Sequence, residues 1–220
     1  MTPTIVFDLD GTLVDSARDL AAAASELIES YGGQPLDVST VIPMVGDGAP
    51  LLVQRALAHA GLDPVTPGAL NRFLEIYDRR LLEHTRAYEG IAGLLESIAP
   101  VASLAVLSNK PETPSRRLLE ALGLATHLRE VIGGDTPGFA RKPDPGGLLY
   151  LIAGVGAAPR TTMMVGDSMI DVETARRASA RVCVARYGFG HLRAGLTLRP
   201  EEHAVESVAE LGEVLATFLR

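Results

Sequence analysis

The chain has 220 residues, of which 47% are apolar and 21% charged, and its formal net charge is −7. This length and apolar share fit one large domain or a core with an insertion, and exclude wholesale disorder. The acidic balance argues against a nucleic-acid or anionic-membrane surface, although a bound cation can still invert the field around an anionic substrate.

A single cysteine, Cys183, allows no disulfide within the chain and fits a reducing compartment. In the run 181–185 it reads as a small buried strand residue. No apolar run approaches the ~18 residues of a membrane span, and the N-terminus lacks the basic and apolar regions of a signal peptide. The expected location is cytoplasmic.

In chain order, Thr4–Phe7 is a short apolar run that predicts a buried strand. Residues 16–86 then break with strand patterning. Helical segments are expected at Ala17–Tyr31, Ala49–Ala60 and Pro67–Glu83, separated by Gly32-Gly33, Gly46-Asp47-Gly48 and Gly61, with no convincing strand. Ala21–Ala24 reads as a set of close-packing helix positions. From Tyr88-Glu89-Gly90 onward strands and helices alternate. Strands are expected at Ser103–Leu107, Glu130–Ile132, Thr161–Val165, Arg181–Ala185 and His203–Val205. Helices are expected at Ser115–Ala121, Pro145–Ala153, Ile170–Arg177 and Val208–Phe218. The pattern predicts an α/β fold: a Rossmann-like, doubly wound parallel sheet core over 1–15 and 87–220, with a small α-helical cap over 16–86.

In such a sheet, ligands bind at the carboxyl ends of the strands. The first strand ends in Asp8 and Asp10, the second in Ser108-Asn109-Lys110. The loop after the third carries Lys142 between Arg141 and Pro143, and the fourth ends in Gly166-Asp167-Ser168 with Asp171 beyond. Three carboxylates with waters suit Mg²⁺, which prefers octahedral oxygen ligands. A hydroxyl, backbone N–H groups and a lysine suit phosphoryl oxygens. Carboxylates alone would repel a phosphate, so the metal and Lys142 complete the set.

Each residue also has a plainer reading. Asp10 before Gly11 suits a turn, Ser108 a helix N-cap, and Asp171 the first turn of a helix. Lys142 could be a solvated loop lysine, but Pro143 and Pro145 stiffen its position. Asp15 is read as a cap or anchor of the first inserted helix. His59, His84, His127, His191 and His203 show no metal-ligand spacing and are read as structural or solvated.

The four motifs Asp8-Leu9-Asp10-Gly11-Thr12, Ser108, Lys142, and Gly166-Asp167-Ser168 with Asp171 stand in an order that resembles the haloacid dehalogenase-like superfamily of phosphatases. The helical insertion after the first motif resembles the cap of its phosphoglycolate phosphatase-like branch. The resemblance implies a Mg²⁺-dependent phosphomonoesterase acting through an aspartyl-phosphate. Asp8 would be the nucleophile and Asp10 the general acid and base. Asp8, the backbone carbonyl of Asp10, and Asp167 would ligate Mg²⁺. Asp171 would lie behind them, orienting a metal-bound water or Lys142. Ser108, Asn109 through its backbone, and Lys142 would hold the phosphate.

The implied partner is a small phosphorylated metabolite, with a monomer or homodimer and no nucleic acid or membrane. Asp10 favours phosphoryl transfer over dehalogenation, which has no alkoxide to protonate. Residues 16–88 contain no lysine for imine chemistry of the phosphonatase kind. The glycine-rich turn at Gly46 and Gly48 runs into a helix whose free N–H groups suit an anionic substrate group. With Arg55-Ala56-Leu57, it resembles the matching segment of phosphoglycolate phosphatases and favours 2-phosphoglycolate. Arg55 is a candidate for a substrate carboxylate, though a solvated helix-face arginine is the plainer reading. Alternatives are a phosphatase of a sugar phosphate such as N-acetylmuramic acid 6-phosphate, a sugar phosphomutase, and a non-catalytic binding protein on the same fold.

Two departures from the family pattern stand out. Ser179 occupies a position where family members commonly have glycine, and a left-handed backbone there would cost about 1 kcal/mol. Glu89 replaces the usual proline at the return to the core, which leaves that hinge looser.

Overall fold

The computed structural model describes residues 2–190 and 197–220. Strand β1, Thr4–Phe7, lies at the centre of the main sheet. A two-residue strand, β2, Val14–Asp15, leads into helices α1, Ala17–Ser30, α2, Val38–Val41, α3, Ala49–His59, and α4, Ala69–Arg80. The chain returns through β3, Arg86–Ala87, which pairs antiparallel with β2. It continues through α5, Ile91–Ile98, β4, Ser103–Leu107, α6, Glu112–Ala121, β5, Glu130–Ile132, and α7, Gly146–Gly154. The remainder is β6, Thr162–Gly166, α8, Met169–Arg177, β7, Arg181–Ala185, β8, His203–Val205, and α9, Val208–Phe218.

The six-stranded parallel sheet has the order β5-β4-β1-β6-β7-β8. The chain winds outward from β1 to one side through β4 and β5, then crosses to the other side at β6. This reversal opens a crevice at the carboxyl ends of the central strands. The strands read as unbroken apolar runs because both faces are covered. Ile5 and Phe7 face a core shared with α5, α6 and α9, whereas Val6 faces one shared with α7 and α8. Cys183 lies buried on the first of these faces, and burial pushes its thiol pKa up to about 12. It is a packing residue, as its strand context implies.

The inserted helices form their own apolar layer, continuous with the first core. In α1, Leu20, Ala21, Ala24, Leu27 and Ile28 recur at helical spacing and are buried. The small alanines let α4 approach closely, and α4 meets them with Phe73, Ile76 and Tyr77.

Several element limits differ from the sequence reading. Helix α6 begins at Glu112 and not at Ser115, because Pro114 sits in the first turn, where no backbone N–H is needed. Strand β6 starts one residue later than expected, because Thr161 belongs to a 3₁₀ turn. Helices α2 and α5 and the β2–β3 pair were not among the expected elements. No helix among the described residues is long and apolar enough to cross a membrane.

Candidate active site

The first motif is a strand end that turns back on itself. Asp8 extends the ladder by donating its N–H to the Val165 carbonyl at 2.8 Å, and the Leu9 carbonyl then accepts the N–H groups of Thr12, Leu13 and Val14. Gly11 makes this turn at φ 83°, and a Cβ there would lie 1.8 Å from Asp167 Oδ2. Glycine is therefore required both by the left-handed backbone and by the close approach of a carboxylate.

Asp8, Asp167 and Asp171 bring carboxylate oxygens within 4.8 Å of one another, and all three residues are buried. Lys142 Nζ lies 2.9 Å from Asp8 Oδ1 and 2.6 Å from Asp171 Oδ1. Asp8 Oδ1 also accepts the Leu9 N–H at 2.7 Å. Asp171 Oδ2 accepts both the N–H and the hydroxyl of Ser168, at 3.1 and 2.8 Å. Asp171 therefore caps α8 and holds Lys142 at once. Asp167 Oδ2 accepts the N–H groups of Phe189 and Gly190, at 3.1 and 2.7 Å.

One ammonium among three buried carboxylates leaves negative charge uncompensated. The consequence shows in the proton affinities. Burial raises the Asp8 pKa from 3.8 to about 6, with Lys142 opposing and Asp171 reinforcing. Burial, then Asp171 and Asp8, push Asp167 well above the usual carboxylate range. Burial opposes the charge of Lys142, but Asp171 and Asp8 win and raise its pKa. An all-oxygen donor set with excess negative charge fits a hard divalent cation.

Ser108 stands at the end of β4 and is buried. Its Oγ accepts the Lys110 N–H at 3.3 Å, and its hydroxyl hydrogen has no acceptor among the described residues. The Asn109 side chain joins the inserted helices to the sheet. Its Nδ2 donates to the Gly46 carbonyl at 3.0 Å and to the Lys142 carbonyl at 2.9 Å. Gly48, at φ 92°, presses against this link, and a Cβ there would lie 3.1 Å from the Asn109 carbonyl oxygen.

Gly46 and Gly48 line a cavity of about 50 Å³ together with Asp8, Asp10, Ser108, Asn109 and Asp167. Arg55 does not line it. Its guanidinium binds Asp47 at 2.5 Å and the Met44 carbonyl at 2.9 Å, bracing the glycine turn from behind. Asp15 Oδ1 accepts the Ala17 N–H at 3.1 Å, in keeping with an anchoring role.

Of the histidines, His59, His84 and His203 are exposed, His127 is partly buried, and His191 lies outside the described residues. His84 stands beside Asp19 and Glu83, but the Asp19 carboxylate is already occupied by N–H and hydroxyl donors of His84 and Thr85.

Lys110 is a site residue that the motif reading passes over. It is 6% exposed. Its Nζ lies 3.1 Å from both oxygens of Asp10, whose Oδ1 also accepts the Ser16 hydroxyl at 2.6 Å. A sequence signal for it exists: Lys110 and Lys142 are the two lysines of the chain, and each follows a strand end.

Carboxylates, ammonium groups and a free hydroxyl gathered at the switch point of a parallel sheet define an α/β enzyme built for chemistry at an anionic centre. The family model for haloacid dehalogenase-like hydrolases matches residues 5–185. The phosphoglycolate phosphatase of Rhodospirillum rubrum is 43% identical over 197 residues, covering 86% of this chain and 81% of that protein. The phosphoglycolate phosphatase of Chromobacterium violaceum is 38% identical over 221 residues, covering 96% and 95%. A crystal structure described as a predicted phosphoglycolate phosphatase from Haemophilus somnus 129PT matches with a TM-score of 0.86 at 27% identity, covering 97% of this chain and 98% of that one. The chain belongs to the haloacid dehalogenase-like hydrolases, in their phosphoglycolate phosphatase-like branch, and is a phosphatase.

Proposed function

We propose that the protein hydrolyses a small phosphomonoester, 2-phosphoglycolate foremost, through an aspartyl-phosphate on Asp8 and with Mg²⁺ as cofactor. The observation that carries this reading is the Asp8–Lys142–Asp171 chain of contacts at 2.9 and 2.6 Å, set beside the free hydroxyl hydrogen of Ser108. The names of the relatives support the choice of substrate.

Asp8 Oδ1 is held by Leu9 and Lys142, which fixes the carboxylate and leaves Oδ2 open. Attack by Asp8 on phosphorus forms the new P–O bond as the ester P–O bond breaks. The leaving alkoxide takes the proton carried by Asp10. Asp10, now a carboxylate, then takes a proton from the water that attacks phosphorus, breaking the Asp8–phosphorus bond and releasing phosphate. Ser108 and the Asn109 N–H hold phosphoryl oxygens, and Lys142 offsets the charge gathered on them. Asp8, the Asp10 carbonyl and Asp167 would hold Mg²⁺, which would offset the charge of the two anions brought together. Asp171 keeps Lys142 in place. Residues 16–86 act as a cap over the core formed by 1–15 and 87–220, with the β2–β3 pair as its two-stranded hinge.

The test is a phosphate-release screen across small phosphorylated acids and sugars. Turnover of an aryl phosphate with Mg²⁺, stopped by EDTA, is expected, with the highest kcat/KM on 2-phosphoglycolate. Higher kcat/KM on sugar phosphates would move the substrate assignment. Phosphate exchange between sugar positions without net release would replace hydrolysis by a mutase reaction.

A further inference from the structure

Lys142 has a role in the scheme above, and Lys110 does not. Its ammonium lies 3.1 Å from both Asp10 oxygens and 2.5 Å from the Tyr77 hydroxyl, 4.3 Å from the centre of the Tyr77 ring. Tyr77 comes from α4, on the other side of the boundary between sheet and inserted helices. The ring is fixed by stacking on Phe73, with centroids 5.9 Å apart and planes within 3°. The Tyr77 oxygen accepts from Lys110, and its own hydrogen has no acceptor among the described residues. Two donors from two parts of the fold thus meet at the cavity, one of them cationic.

We propose that Lys110 and Tyr77 form a receptor for a carboxylate borne on the carbon next to the substrate's ester oxygen. The inference rests on the phosphatase reading and on Asp10 acting at that oxygen. A general acid sits about 3 Å from the atom it protonates, and the Lys110 ammonium is 3.1 Å from the acid's own oxygens. A carboxylate one carbon away from the ester oxygen therefore falls within its reach.

An ammonium has three N–H donors. Here the three meet Asp10 Oδ1, Asp10 Oδ2 and the Tyr77 oxygen. The Asp10 oxygen that carries the proton as general acid no longer accepts, which frees one N–H for a substrate carboxylate, while the Tyr77 O–H offers a donor of its own. The other cavity walls from the inserted helices include Leu20, Leu52, Phe73 and Leu74. These offer nothing to the hydroxyls of a sugar. They also remove water from the carboxylate, which makes a buried cation the partner it requires. Arg55, engaged with Asp47, is not that cation.

The experiment compares kcat/KM for 2-phosphoglycolate with kcat/KM for 2-hydroxyethyl phosphate, which keeps the ester and replaces the carboxylate with a neutral group. The ratio cancels any loss that reaches both substrates through Asp10. Wild-type protein is expected to favour 2-phosphoglycolate. The ratio is expected to fall about 100-fold in Lys110→Met and about fivefold in the milder Tyr77→Phe. An unchanged ratio in Lys110→Met overturns the receptor and assigns Lys110 to Asp10 alone. A wild-type ratio near one, with good aryl-phosphate turnover, overturns the receptor and leaves the phosphatase standing. No turnover of any phosphoester overturns both.

Discussion

The Asp19 carboxylate accepts the Thr85 N–H at 2.8 Å and the Thr85 hydroxyl at 2.7 Å. This contact ties the first turn of α1 to the residue before β3, and so joins the beginning of the helical insertion to its end. His84 adds its N–H and ring Nδ1 to the same carboxylate. Replacing Asp19 by Ala leaves the buried N–H and hydroxyl of Thr85 without an acceptor, and is expected to lower stability by about 3 kcal/mol in urea unfolding. Burial opposes the Asp19 charge, but the His84 and Thr85 donors prevail and hold its pKa below 3.8. Its contribution is therefore complete above the unfolded value and is lost as pH falls through the folded one. The gap between wild type and Asp19→Ala is expected to stay constant from neutral pH to about pH 5 and to narrow in stronger acid.

Asn109 gives a second link between insertion and sheet. Asn109→Ala deprives the Gly46 and Lys142 carbonyls of a shared donor. The glycine turn is then less well held over the cavity. Steady-state kinetics are expected to show KM rising by about tenfold, with a smaller change in kcat. A fall confined to kcat would place the side chain in the chemical step instead.

Ser179 is the one non-glycine residue with positive φ among the described residues, at 56°. The expectation drawn from Ala178-Ser179-Ala180 is met by the backbone. Ser179→Gly relieves the steric cost of a Cβ in the left-handed region and partly offsets it by loosening the unfolded chain, for a net gain of about 0.5–1 kcal/mol. Thermal unfolding at higher temperature than wild type is the expected readout, and an unchanged or lower midpoint would count against it.

The sheet was legible because its strands are buried on both faces. β1, β4, β5, β7 and β8 have the limits expected from their apolar runs. That the candidate residues gather in one place was legible because carboxylates at strand ends have no packing purpose. Shorter features escaped. β2 and β3 are two residues each, too short for a period of two to register. Helix α5 is eight residues with Gly93 inside it, and its buried Ile91, Leu95 and Ile98 make only two turns of pattern. Lys110 could be noted as a strand-end lysine, but its meaning depends on Tyr77, 33 positions away in sequence. Such a meeting follows from how α4 packs over the sheet and leaves no local trace.

The buried carboxylate cluster carries its own pH signature. Asp8 binds its proton more tightly in the folded chain, at about 6 against 3.8. Between these values the folded state holds more protons than the unfolded one, so stability of the metal-free protein falls as pH rises through that window. Asp167 acts in the same direction. A divalent cation bound by these carboxylates would take the place of the proton. The rise in Tm on adding Mg²⁺ is therefore expected to be larger at about pH 7.5 than at about pH 5. An equal or larger rise at the lower pH would contradict a metal held by these carboxylates.

In the proposed function Asp8 attacks phosphorus. Phosphate release by Asp8→Asn, measured with Mg²⁺ beside wild type on the best substrate of the screen, tests it most directly. The substitution keeps the shape of the side chain and removes the nucleophilic oxygen pair. Turnover is expected to fall at least about 1,000-fold, and wild-type turnover in the variant would show that Asp8 is not the nucleophile.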